Sequence, residues 1–144
     1  MSSQVVSALL DAFPDKVASV EDKFYPAVVI QPEDLLEVFS YLKNTLQLDH
    51  LANLSSVDQG GEFAVVYHLH SFTSADKLMV TIKTPRGTAK VPSAIPVYKT
   101  ADWQEREVYD LMGISFEGHP NLIRILLPYD YSGHPLRKDF KLVR

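Results

Sequence analysis

From Phe63 the chain alternates. Phe63, Val65, Tyr67 and Leu69 share one parity, and Ala64, Val66, His68 and His70 share the other. A period of two belongs to extended backbone, where successive side chains leave opposite faces, so this run reads as a strand, and as an interior one. A polar connection, Ser71 to Asp76, leads to Leu78, Val80 and Ile82, which alternate in the same way. The two runs are expected to pair as an antiparallel hairpin. A sheet built on this hairpin needs an apolar cover, and the rest of the chain must supply it.

Helical spacing supplies candidates. Val5, Val6, Leu9, Leu10 and Phe13 recur at helical intervals and stop at Pro14, which predicts a short amphipathic helix. Ala27–Ile30 is a short β-rich run. Pro32 in a first-turn position, followed by Glu33 and Asp34 at the positive end, opens a second helix with Leu35, Phe39, Leu42 and Leu46 in one apolar stripe. Residues 84–98 carry Pro85, Pro92 and Pro96, which block interior ladder positions, so they read as a loop crossing the sheet. A third helix runs from about Ala101 to Met112 and ends at Gly113, the residue suited to a left-handed stop. The predicted architecture is an α+β, two-layer domain over residues 1–116, with helices on a small, mainly antiparallel sheet. Residues 117–144 form an extended, irregular C-terminal arm.

At 144 residues the chain suffices for one core. Several function classes are disfavoured. No run approaches the roughly 18 apolar residues of a membrane helix, and Met-Ser-Ser-Gln opens neither a signal nor a transit peptide, so a cytosolic protein is expected. With no cysteine, the chain cannot hold an iron–sulfur cluster through thiolates. Its six glycines are scattered and make no phosphate loop or dinucleotide fingerprint. Residues 1–116 hold nine Lys and Arg against fifteen Asp and Glu, whereas 117–144 hold five against three. A net charge of −4 is a poor match for DNA; the basic tail fits a local acidic surface better.

The arm has three prolines, two glycines and no sustained period, yet Leu122, Ile123, Ile125, Leu126, Leu127, Tyr129, Tyr131, Leu136, Phe140 and Leu142 are too apolar for solvent. Either it lies over its own domain or another protein buries it. On a wheel of about 100° per residue, the third helix puts Ala101, Val108, Tyr109, Leu111 and Met112 on one side. Asp102, Arg106, Glu107 and Asp110 fall on the other. Glu105 lands among the apolar residues and Trp103 among the charged ones. A carboxylate facing a core is costly unless paired, so Glu105 is expected to meet a cation, with Arg124, Arg137 and Lys138 as candidates, or to sit at a wet boundary. Trp103 is covered either by its own chain or by a partner, where Trp is enriched. Arg106, four residues from both Asp102 and Asp110, is expected to form an intrahelical charge ladder or to reach a partner carboxylate. The arm also repeats a corner unit, Gly118-His119-Pro120 and Gly133-His134-Pro135. Histidines without cysteine leave open a metal-dependent hydrolase using His68, His70, His119 and His134, but each pair lacks an obvious third ligand.

The run Trp103-Gln104-Glu105-Arg106-Glu107-Val108-Tyr109-Asp110-Leu111-Met112-Gly113-Ile114-Ser115-Phe116-Glu117-Gly118-His119-Pro120, then Arg124-Ile125-Leu126 and Gly133-His134-Pro135-Leu136-Arg137-Lys138-Asp139-Phe140, closely resembles the signature of the 30 kDa subunit (the C subunit) of proton-translocating NADH:quinone oxidoreductase, respiratory complex I. Weaker likeness extends through Phe63–Leu69 and Val91-Pro92-Ser93. Ile123, Asn121 and Tyr131 stand where the family usually has a basic residue, Asp and Trp. The resemblance implies a non-catalytic subunit without a cofactor of its own; NADH, FMN, iron–sulfur clusters and quinone are expected in partner subunits. It implies a place in the peripheral arm on the cytoplasmic side of the cell membrane, against the large 49 kDa-type quinone-site subunit and the iron–sulfur subunits. Related subunits serve membrane-bound hydrogenases and dehydrogenases using other donors, and these remain alternatives. Of the motif, Trp103, Glu105, Arg106, Glu107, Asp110, Gly113, Phe116, Gly118, His119, Pro120, Arg124, Gly133, His134, Pro135, Leu136, Arg137, Lys138, Asp139 and Phe140 are the residues expected to dock.

Overall fold

The computed structural model describes residues 3–22, 25–73, 76–120, 122 and 134. Helix α1 (Ser3–Ala12) stops before Pro14, and β1 (Val17–Val20) and β2 (Ala27–Ile30) follow. Pro32–Asp34 form a single 3-10 turn leading into α2 (Leu35–Asn44). Then come β3 (His50–Asp58), β4 (Glu62–His70), β5 (Lys77–Pro85), β6 (Lys90–Pro92), α3 (Ala101–Met112) and β7 (Ser115–Glu117). The described residues thus make an α+β fold around a five-stranded mixed sheet.

The alternating runs pair as expected: β4 and β5 form an antiparallel ladder with Val65 opposite Ile82 and Tyr67 opposite Val80. The sheet order is β1-β2-β5-β4-β3, which makes β4 interior and leaves β1 and β3 at the edges. One junction is parallel, β2 against β5, because α2 and the β3–β4 hairpin intervene between them and carry the chain back across. Phe63, Val65, Tyr67 and Leu69 all face the core, where Leu9 of α1 and Leu35, Val38, Phe39 and Leu42 of α2 meet them. Phe39 packs edge-on against Tyr67 at 4.9 Å and against Tyr98 at 5.6 Å. Burying a side chain of that size contributes roughly 1.5–3 kcal/mol.

Residues 84–98 depart from the predicted loop. β6 lies within them and pairs in parallel with β7, Val91 opposite Phe116. Pro92 is tolerated because it occupies the last position of a two-stranded edge, and the next residue resumes the pairing: Ser93 N–H donates to Glu117 O at 2.8 Å. This small sheet fixes the entry and exit of α3. Gly113 ends the helix in the left-handed region, φ 75°, with its N–H donating to Tyr109 O at 2.9 Å.

Candidate functional site

The functional candidates gather on α3. Ala101, Glu105, Val108 and Met112, spaced three or four residues apart, form its buried stripe. Glu105 therefore lies among apolar neighbours, as the wheel placed it, and is 0% exposed. Its oxygens accept hydrogen bonds from Ser93 Oγ and from the Ala94 N–H, both at 2.7 Å. Among the described residues it meets these two neutral donors instead of the expected cation; Arg124, Arg137 and Lys138 lie outside the described residues. Burial raises the carboxyl to about 7, against the two hydrogen bonds, which pull it down, and with a smaller push from Asp102. Near neutrality Glu105 is thus divided between its charged and neutral forms. The neighbouring Tyr67 hydroxyl is buried without a hydrogen-bond partner among the described residues, and burial first, then Glu105, pushes its pKa far up.

The other face of α3 differs from the wheel at two places. Asp110, assigned to the exposed side, is 0% exposed. It lies off the core stripe, so its burial needs cover from a second direction, and His134 Nδ1 stands 3.1 Å from the Asp110 carbonyl oxygen. Nor does Arg106 form the Asp102–Asp110 ladder. Asp102 is engaged instead by His119, whose Nε2 lies 3.0 Å from Asp102 Oδ1 and 3.2 Å from the Asp102 carbonyl. Arg106 stacks over the Trp103 ring at 5.1 Å, and its Nε is buried with no hydrogen-bond partner among the described residues. Trp103 itself is 56% exposed, so the described chain does not cover it.

The first corner unit has the conformation its residues demand. Gly118 has φ 85° and turns the chain so that the His119 side chain is enclosed against the first turn of α3, while Pro120 remains exposed. His119 and His134 therefore touch the two ends of one helix, and Leu122 packs against the core. At these three positions the arm lies over its own domain. Phe116 is buried in β7. Gly133, Pro135, Leu136, Arg137, Lys138, Asp139 and Phe140 lie outside the described residues.

His68 and His70 share a strand face as expected, edge-on to the Tyr25 ring at 4.9 and 6.2 Å. Among the described residues, no three His, Asp or Glu side chains are grouped to hold a metal. Sequence reasoning missed a groove of about 250 Å³ between α3 and the edge strand β3, lined by Leu54, Ser56, Gln104, Glu107, Val108 and Leu111 among others. Gln104 Oε1 bridges it, accepting from the Leu54 N–H at 2.6 Å. A polar glutamine on a helix face gives no signal of such a contact. Ser93 and Ala94 were likewise invisible as partners of Glu105, because they follow Pro92 in what read as a loop.

Residues 28–144 match the family described as the respiratory-chain NADH dehydrogenase 30 Kd subunit. The C subunit of the NADH-quinone oxidoreductase of Citrifermentans bemidjiense is 42% identical over 118 residues, covering 80% of this chain and 73% of the relative. The C subunit of the F(420)H(2) dehydrogenase of Methanosarcina mazei is 37% identical over 142 residues, 95% of this chain and 90% of the relative. Among solved structures, a trypsin-resistant fragment of Nqo5 superposes with a TM-score of 0.73 at 28% identity, covering 85% of this chain and all of that one (100%). A chain of an archaeal membrane-bound sulfane sulfur reductase shares the fold, with a TM-score of 0.82 at 23% identity over 98% of this chain and 86% of that one. The motif on α3 and the arm thus sits in a chain that belongs to the 30 Kd subunit family of the respiratory-chain NADH dehydrogenase.

Proposed function

We propose that this chain is a non-catalytic peripheral-arm subunit of a proton-translocating NADH:quinone oxidoreductase. It docks on the large 49 kDa-type quinone-site subunit, beside the iron–sulfur subunits, through the outer face of α3 and the arm 117–144. One observation carries the reading: in a chain of this family, Trp103 stands 56% exposed with the Arg106 guanidinium stacked on it. Trp and Arg are the residue types that dominate interface energetics. The buried part of the motif acts differently. Glu105 ties α3 to the Ser93–Ala94 turn and so fixes the angle at which Trp103 is presented.

NADH, FMN, iron–sulfur clusters and quinone belong to the partner subunits in this reading, and the chain contributes geometry. Electron tunnelling and quinone access depend on that geometry, so loss of the subunit abolishes turnover without removing a reacting group. The complex sits on the cytoplasmic side of the cell membrane, and this chain reaches the membrane only through it. The likeness to the C subunit of the F(420)H(2) dehydrogenase supports a second reading, the same docking role in a complex fed by another donor. Deleting residues 117–144 is expected to release the subunit when the complex is purified from its native membrane. Retention at the wild-type yield would contradict docking through the arm.

A further inference from the structure

Among the described residues, no strand covers the edge of β3 beside α3. Leu54 directs its N–H away from β4, to Gln104, whereas the Gln59 N–H turns inward to Glu62 O at 2.9 Å. Both fix the same parity: in an antiparallel ladder every second residue turns its N–H and C=O outward. The ladder is regular from Leu54 to Asp58, so Ser56, opposite Val65, turns outward like Leu54. No described strand lies on that side. Beside it the α3 wall offers Val108 and Leu111 as an apolar floor and Glu107 at the rim, and Glu107 has no ion pair among the described residues.

Gln104 shows what the groove accepts. Its side-chain amide takes the place of a neighbouring strand's carbonyl at Leu54, and a real strand can continue the pattern at Ser56. We infer that the β3–α3 groove takes an extended segment of the partner subunit, which adds to the sheet as a sixth strand beside β3. The segment's carbonyl accepts the Ser56 N–H, an apolar side chain settles on Val108 and Leu111, and a Lys or Arg meets Glu107. Charge complementarity selects the basic neighbour, since residues 1–116 hold fifteen Asp and Glu against nine Lys and Arg. Backbone pairing gives such a contact its affinity and the alternate side chains its specificity. The inference rests on the docking reading and names its mode.

The test is residue-resolved amide hydrogen exchange at Ser56, in the isolated subunit and in the purified complex. The expected result is fast exchange in the isolated chain and slowing by about 100-fold or more in the complex. Equal exchange in both, with the chain still co-purifying, would overturn the added strand while leaving docking intact. A wild-type chain that fails to co-purify would overturn docking and this inference with it. Protection that already appears in the isolated chain and grows with its concentration would put a second copy on the edge and overturn the inference too. Ser56→Pro removes the outward donor without touching the β3–β4 ladder, so it should lower the co-purified yield, whereas Ser56→Ala should leave it unchanged. Glu107→Lys should lower it as well. Should Ser56→Pro fail to fold, the exchange measurement on the wild-type chain decides alone.

Discussion

Glu105 is the residue whose chemistry departs furthest from ordinary. A carboxylic acid held at about 7 in the fold keeps a proton that the unfolded chain has released from about 4.5 upward. The folded state binds more protons across this window, so stability is fully present below the unfolded value and is lost as pH rises through 7. The loss amounts to a few kcal/mol, on the order of one tenfold step per pKa unit. Glu105→Gln keeps an acceptor for the Ala94 N–H and places a donor toward Ser93 Oγ without a charge. Its melting temperature is therefore expected to fall less than that of the wild type between pH 5 and pH 8, on the order of the wild-type loss above. Parallel curves for the two proteins would contradict this. Ser93→Ala removes one donor from the ionised form, which destabilises by roughly 1–3 kcal/mol, and the deficit should be larger at pH 8 than at pH 5 in the same melts.

Among the elements, those with strong periodicity were legible in the sequence and those at edges were not. The β4–β5 hairpin announced itself because each core-facing residue from Phe63 to Leu69 is fully enclosed. By contrast, β1 buries only Val17 of its four residues, and β3 is an edge strand whose alternation is broken by an irregularity between Leu51 and Asn53. Neither leaves a period of two to read. The α3 wheel located Glu105 correctly but exposed Asp110, since a wheel built from one helix cannot include the arm that returns across it. That return is made by the two histidines of the corner repeat. Gln Nε2 can stand where His Nε2 stands, and Asn Nδ2 where His Nδ1 stands. Accordingly, His119→Ala and His134→Ala are expected to raise the rate of proteolytic clipping within 117–144 several-fold, by roughly the weight of one hydrogen bond each, about 1 kcal/mol. His119→Gln and His134→Asn should restore much of the protection. Ala variants clipped at the wild-type rate would show that the histidines do not hold the arm.

At the scale of the whole molecule, an acidic α+β body presents α3, against which His119 and His134 of the arm rest. The sequence motif named those residues, but it could not say which of them face outward. The fold divides them: Glu105, Asp110 and Phe116 are enclosed, while Trp103 stands outward with the half-buried Arg106 stacked on it and Glu107 lines the groove. The proposed function has this face meet the large quinone-site subunit. Its most direct measurement places a photo-crosslinking residue at Trp103 and irradiates the assembled complex in its native membrane, with the products identified by mass spectrometry. The expected result is a covalent product joining this chain to the large subunit, lost when the probe is moved to the exposed Phe72, which lies in the connection after β4 against His50. A complex that assembles fully and yields no inter-subunit product from position 103 would contradict the claim.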